Sequence, residues 1–486
     1  MRMREVFELK DKDVMGRIGR LKTAHGVIET PAILPVVRPG ADASRLRKFG
    51  AQIIITNAYL IYRSPELRNQ ARDLGVHRLL GWDGALMTDS GSYQLYEYRA
   101  IEVENSEIVR FQQEIGSDIG VPLDIPSSIY ISHSRARAEL DRTLNRLREA
   151  RELIDDERDG MILAGTIQGS IYPDLREYAA REASRIGFDL YPIGGVVPLM
   201  EQYRYGDLVR VILHSKINLE PSAPIHLFGA GHPMVFALAV ALGCDLFDSA
   251  AYALYASDGR YLSPSGTYFI EKMEYLPCSC PVCSERSPED LRSDKDLLAD
   301  HNLYTSFEEI RRIKEAIREK RLWELVQMRV RSHPSLLEGL KSAVSFADLI
   351  ERFDPISKTS FFYSGPESSR RPEVIRYSNR LDRFELGGTV LITTERVLKQ
   401  LNIEHDHLFL LKPPFGPYPV ELSETYPVGP SEIPKTPDHE AMVVAGSNVR
   451  RLIELNPDVR FIIACEQEWK GYIGDIEKGQ VEVVWV

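Results

Sequence analysis

No stretch of this 486-residue chain approaches the roughly 20 consecutive apolar residues that a membrane-spanning helix needs. The opening Met1-Arg2-Met3-Arg4-Glu5 runs into mixed charge rather than an apolar core, so a secretory signal is not expected. Cysteine is scarce and unevenly spread, at five residues, which excludes a disulfide framework and points to a cytoplasmic protein without membrane contact. Positive charge is in deficit, with 60 Lys and Arg against 71 Asp and Glu. Taken alone, that argues against a nonspecific nucleic-acid binder, whose affinity rests on neutralising phosphates. A Gly-rich dinucleotide fingerprint is missing after the early strand candidates, which weakens a doubly wound sheet. With 43% hydrophobic residues and no low-complexity tract, the chain is folded around a large core.

Up to about residue 250 one pattern recurs: a short apolar run, then a longer segment with helical spacing. The runs are Ala32–Val36, Ile53–Thr56, Leu86–Thr88, Val121–Leu123, Ile162–Ile167, Leu190–Ile193, Ile225–Phe228 and Leu246–Phe247. Eight strands alternating with helices fit a (β/α)8 TIM barrel of the α/β class. The expected organisation is a barrel over residues 1–355 and a small α+β domain over 356–486, the latter containing a Pro-rich loop from Pro413 to Pro437.

The residues just past each strand candidate carry the chemistry. Asp89-Ser90 comes after the third, Asp124 after the fourth, Gln168-Gly169 after the fifth, Gly194-Gly195 after the sixth, Gly229 to His232 after the seventh and Asp248 after the eighth. A barrel gathers all strand carboxyl ends on one face, so these residues would share a pocket. Each alone is an ordinary turn or cap residue; the repetition is what points to a site. Asp89 and Asp248 would form a carboxylate pair, one attacking an anomeric carbon while the other moves protons. Asp245 rivals Asp248, and composition does not choose between them, although strand alternation sends them to opposite faces.

Cys278, Cys280 and Cys283, followed by His301, offer three thiolates and an imidazole. Such a Cys₃His set suits one tetrahedral Zn²⁺ with no open position, hence a structural ion in an insertion over about 276–302. That closed shell also disfavours a zinc-dependent hydrolase. Arg311, Arg312, Lys314, Arg318, Lys320, Arg321, Arg329 and Arg331 make a local basic stretch, read either as an ion-paired solvated face or as an RNA-facing one.

Met87-Thr-Asp-Ser-Gly-Ser-Tyr-Gln94, Gly116-Ser-Asp-Ile119, Gly165-Thr-Ile-Gln-Gly169, Ile193-Gly-Gly195, Cys244-Asp-Leu-Phe-Asp-Ser249 and the Cys/His quartet occur in one order. In that order and spacing the chain resembles the tRNA-guanine transglycosylases over residues 1 to about 350. Val121-Pro-Leu-Asp-Ile-Pro126 and the region from Phe361 onward resemble the archaeal branch, the archaeosine tRNA-ribosyltransferases. The resemblance implies that Asp248 is the nucleophile on ribose C1′, that Asp245 is structural and that Asp89 is the general acid/base. It further implies that Ser90 and Tyr93 hold the base, and that Asp124, Gln168 and the Gly194-Gly195 backbone read its edge.

The archaeal branch would exchange guanine for 7-cyano-7-deazaguanine (preQ0) at position 15 of the tRNA D-loop. The bacterial and eukaryotic branches act at the anticodon wobble position, and some transglycosylase-like subunits have lost the exchange chemistry. Both carboxylate positions are filled here, which favours an active enzyme. The implied partners are tRNA, guanine and preQ0, with a homodimer as the assembly. Archaeal relatives usually end in a PUA RNA-binding domain, and little room for one is expected near Trp485: either a separate PUA-domain protein is a partner, or tRNA docking relies on the barrel and the module that follows it. With tRNA as substrate, the acidic balance survives only as an expectation of weak, salt-sensitive nonspecific RNA affinity.

Overall fold

The computed structural model describes residues 6–92, 103–154, 160–474 and 479–486. The chain divides into two compact units, Met1–Arg318 with Leu325–Ala343, and Glu319–Glu324 with Val344–Val486.

The first unit opens with three antiparallel strands that the hydrophobic pattern did not single out: β1 (Phe7–Asp13), β2 (Gly16–Thr23) and β3 (Gly26–Thr30). Their alternation is blurred because buried positions of β2 hold Arg17 and two glycines beside Ile18 and Leu21, with Arg20 and Lys22 exposed. Eight parallel strands come next: β4 (Ala32–Pro35), β5 (Ile53–Asn57), β6 (Ala85–Asp89), β7 (Ile119–Gly120), β8 (Ile162–Leu163), β9 (Tyr191–Ile193), β10 (Ile225–Leu227) and β11 (Leu246–Ser249). They pair as two sheets, ordered β5-β6-β7-β8 and β4-β11-β10-β9. Parallel bridges Val36↔Ile55 and Ala164↔Leu190 link the sheets at both edges. A hairpin of β12 (Arg260–Ser263) and β13 (Gly266–Phe269) completes the strands of this unit among the described residues.

Both faces of the eight parallel strands are buried, so they read as continuous apolar runs rather than alternating ones. Ala32, Leu34, Ile53, Ile55, Ala85, Met87, Ile119, Ile162 and Leu246 pack into one cluster on the inner side. Ile33, Ile54 and Leu86 are buried on the other. Most strands lie where the runs were expected. The fourth is displaced: β7 ends at Gly120, and Val121–Leu123 is extended chain outside the ladder. Pro122 supplies no N–H for pairing there, and the N–H groups of Val121 and Leu123 go instead to the side chains of Gln112 and Asn105.

The second unit begins its strands with β14 (Phe361–Phe362), which pairs with the equally short β18 (Ser431–Glu432). Its main sheet is built on β15 (Thr389–Thr393), with β16 (His407–Lys412), β17 (Gly416–Pro419), β19 (Arg460–Cys465) and β20 (Val481–Trp485). Only β17 runs antiparallel in that sheet, so the expected α+β module has a mostly parallel sheet, covered on both faces. Helix His439–Leu455 packs Val449 and Leu452 against Val390, Ile392, Phe461 and Ile463. The expected Pro-rich loop contains β17 and β18; Pro417 and Pro419 lie in β17, at the edge of the main sheet, where a missing N–H is tolerated.

Candidate active site

Asp89 ends β6 and Asp248 lies in β11, so both stand at strand carboxyl ends. Asp248 is held through one oxygen: His226 Nε2 lies 2.9 Å from Oδ1, and the Gly229 N–H donates to the same oxygen at 2.7 Å. His226 is fully buried on β10. Asp89 sits among carboxylates. Burial, then the charge of Asp124 and, less strongly, that of Asp248 push its carboxyl up to about 7, against the opposing N–H groups of Gly91 and Ser90.

Asp124 is buried behind it, and Gln168 Nε2 donates to its Oδ2 at 2.6 Å. Its own N–H donates to Ser92 Oγ at 2.9 Å, and Ser92 Oγ lies 3.1 Å from Ser90 Oγ. Ser90 Oγ donates onward to the Pro122 carbonyl. Burial pushes the Asp124 carboxyl above its ordinary value. Gln168 is fully buried, and its Oε1 has no protein partner among the described residues. An orphaned amide oxygen in a protein interior costs about 1–3 kcal/mol, a cost a donor on a bound ligand removes.

Two glycines make this arrangement possible. A Cβ on Gly194 would stand 2.3 Å from Gln168 Nε2, and one on Gly195 would stand 3.0 Å from Oε1, with φ at +72° besides. Arg176, on helix Pro173–Ile186, then fixes the loops. Its guanidinium, fully buried, donates to the carbonyls of Ser170 (2.8 Å), Ile167 (2.9 Å) and Gly194 (3.0 Å). Burial alone pulls it down to about 9.

Asp245 has an entirely different environment. It is fully buried and paired with Arg17, whose Nε and Nη2 donate to its two oxygens at 2.8 Å each, while the Ile225 N–H donates to Oδ2. Asp245 and Asp248 share no partner among the described residues. Ser90, Asp89, Asp124, Gln168, Gly194, Gly195 and Asp248 are therefore accounted for; Tyr93 lies outside the described residues. Sequence reasoning missed His226, Arg176 and Arg17. The one available signal was an ionisable residue inside the apolar run Ile225-His226-Leu227-Phe228.

Cys278, Cys280, Cys283 and His301 come together, their ligand atoms all within 4.8 Å of one another. His301 Nδ1 faces the thiols, 3.2 Å from Cys283 Sγ and 3.6 Å from Cys280 Sγ. Its Nε2 lies 3.0 Å from the Leu262 carbonyl and its ring stacks on Tyr261 at 3.6 Å, which orients the free nitrogen toward the sulfurs. The donor set fits a structural zinc.

The basic stretch is largely engaged. Arg312 pairs with Glu308, Arg318 with Glu315, and Arg329 with the buried Glu309. Lys314 bonds Glu29, and Arg331 donates to the Gln327 carbonyl. The ion-paired reading of this face is the one these contacts support.

The chain belongs to the queuine tRNA-ribosyltransferase family, whose model matches residues 11–335. It is thus a transferase, and the resemblance drawn from the motifs holds. It is similar over nearly its full length to archaeal proteins named tRNA-guanine(15) transglycosylase. That of Methanosarcina barkeri is 53% identical over 474 residues, 96% of each chain. That of Archaeoglobus fulgidus is 48% identical over 489 residues, 98% of this chain and 99% of the relative. That of Methanothermobacter thermautotrophicus is 47% identical over 470 residues, covering 92% of this chain and 71% of the relative. No helix among the described residues is long and apolar enough to cross a membrane.

Proposed function

We propose that this chain is a tRNA-guanine(15) transglycosylase that exchanges guanine 15 of the D-loop for preQ0, the first step of archaeosine formation. The observation that carries the reading is a carboxyl poised near 7, at Asp89, beside a carboxylate anchored by one oxygen, at Asp248.

Asp248 attacks ribose C1′ as the C1′–N9 bond breaks, and the bonding electrons leave with guanine. Protonated Asp89 gives its proton to the departing base. The ionised Asp89 then takes the N9 proton of preQ0, whose nitrogen attacks C1′ and returns the bonding pair to Asp248. Each exchange thus restores both carboxyl groups, and a pKa near the working pH suits a group that acts once as acid and once as base. Bases enter and leave through one pocket, so the reading groups must accept both. Asp124 accepts from purine N–H donors, while Gln168 Oε1 and the Gly194-Gly195 backbone supply the remaining partners, with Ser90 and Tyr93 holding the ring. The D-loop base must leave its stack first, at about a few kcal/mol.

Two parallel sheets bridged at both edges support a closed (β/α)8 barrel, with the site at its carboxyl-terminal face. We assign the catalytic domain to residues 1–355, with the zinc held by Cys278, Cys280, Cys283 and His301 over about 276–302, and an accessory role to 356–486. Bound there, the ion fixes local structure and takes no part in the transfer. A cytoplasmic homodimer acting on tRNA, with or without a separate PUA-domain protein, completes the proposal.

Mapping labelled preQ0 in a full-length tRNA transcript tests it. Incorporation at nucleotide 15 is expected; incorporation at the wobble position, or none with any tRNA, overturns it.

A further inference from the structure

At the amino-terminal ends of the same strands, three residues remote in sequence meet. His25 lies in the turn between β2 and β3, His77 in the short helix Val76–Leu79, and Asp118 immediately before β7. His25 Nδ1 is 3.0 Å from Asp118 Oδ1, and His77 Nε2 is 3.0 Å from Oδ2. The ligand atoms of all three lie within 4.8 Å of one another. The two imidazoles stack, with centroids 3.8 Å apart and planes inclined by 28°. Asp118 is buried and oriented by main-chain donors: the His25 N–H reaches Oδ1 at 3.0 Å and the Leu86 N–H reaches Oδ2 at 2.8 Å. The transfer chemistry uses none of these groups. Leu86, which anchors Asp118, and Asp89 are three residues apart on β6, about 10 Å along the strand.

We propose that His25, His77 and Asp118 form a second divalent-cation site, separate from the cysteine cluster, taking an ion of the Zn²⁺, Co²⁺ or Ni²⁺ class. Two imidazoles and a carboxylate are the donors that such borderline ions select. Nitrogen and oxygen ligands bound at about 2.1 Å stand roughly 3–3.4 Å from one another, octahedral to tetrahedral, so the 3.0 Å separations on both sides of the carboxylate need little adjustment. The two N–H donors to Asp118 act as the orienting shell that ligating carboxylates usually have. His25 is 45% exposed, so water can reach the ion and fill its remaining positions. Because a carboxylate only accepts, each facing ring nitrogen carries its proton while the ion is absent, and binding would release that proton as the ligand lone pairs turn to the metal. Occupancy would tie the β1–β3 sheet to the start of β6 and β7.

The test is a Co²⁺ titration of the full-length protein stripped of metal. The cysteine site reports itself through thiolate-to-cobalt charge transfer, whereas the second site gives d–d bands alone. We expect two equivalents in the native protein. His25→Ala and His77→Ala should each weaken the second equivalent at least tenfold, with the charge-transfer band intact as proof of folding. A single equivalent in the native protein, or a second equivalent kept at native affinity by either variant, overturns the proposal. Loss of the charge-transfer band in His77→Ala passes the decision to His25→Ala, whose side chain is exposed.

Discussion

His226 grips Asp248 by Oδ1 alone, at 2.9 Å, and the Gly229 N–H adds a second bond to the same atom. Among the described residues no bond falls on Oδ2, so on the mechanism proposed it is the oxygen aimed at ribose C1′. His226 is then a positioning residue. His226→Ala should slow covalent adduct formation by about 10²-fold, the order expected for a misplacement near 1 Å, and leave the KM for tRNA nearly unchanged. His226→Gln, whose Nε2 donor has a reach similar to that of the His226 Nε2, should recover part of the loss. Single-turnover adduct kinetics measure both, and an equal fall in tRNA affinity would contradict the assignment.

The Asp89 carboxyl near 7 gives a pH prediction with a definite sign. Guanine release needs its proton, so the single-turnover rate of adduct formation should fall as pH rises through about 7. Removing a neighbouring negative charge makes ionisation easier. Asp124→Asn should therefore move that limb to lower pH. Stability follows the same group: with its folded value raised above 3.8, the protonated form is favoured in the folded state, and stability is lost as pH rises toward 7. Asp89→Asn should accordingly raise Tm more at pH 8 than at pH 5.

Gly194 is predicted not to tolerate a methyl group. Alanine there collides with Gln168 Nε2 and breaks the 2.6 Å bond that holds Asp124. Gly194→Ala should cut guanine affinity at least tenfold, as the loss of one hydrogen bond to a charged group of about 1.5–3 kcal/mol implies. Equilibrium binding of labelled guanine reads this directly.

The cysteine cluster should behave as a structural centre. Cys283→Ala, or removal of the metal by a strong chelator, is expected to lower Tm by more than about 5 °C. Exchange activity measured well below the transition should persist. Activity that vanishes while the fold stays intact would instead place the ion in the chemistry.

Local chemistry was legible in the sequence and distant pairing was not. Asp89, Asp124, Gln168 and Asp248 could be proposed because each comes after an apolar run, and a parallel fold brings such ends together. The cysteine spacing was equally plain. Arg17 and Asp245, 228 positions apart, carry no mutual signal in a single chain, nor do His25, His77 and Asp118. The β1–β3 sheet escaped because its buried positions mix Asp13, Arg17, Gly19 and Thr30 with Leu21 and Ile28, which breaks the apolar alternation. The basic stretch from Arg311 to Arg331 left two readings open; the i,i+4 pair of Arg312 with Glu308 was legible, whereas the pairing of Lys314 with Glu29 and Arg329 with Glu309 needed the fold.

The central claim is that Asp248 forms the bond to RNA. Incubating the protein with unmodified tRNA, denaturing, digesting and locating the ribose-linked peptide by mass spectrometry tests it most directly. The mechanism predicts an adduct on Asp248 in the native protein and none in Asp248→Asn. An adduct on Asp89, or one that survives in Asp248→Asn, would contradict it.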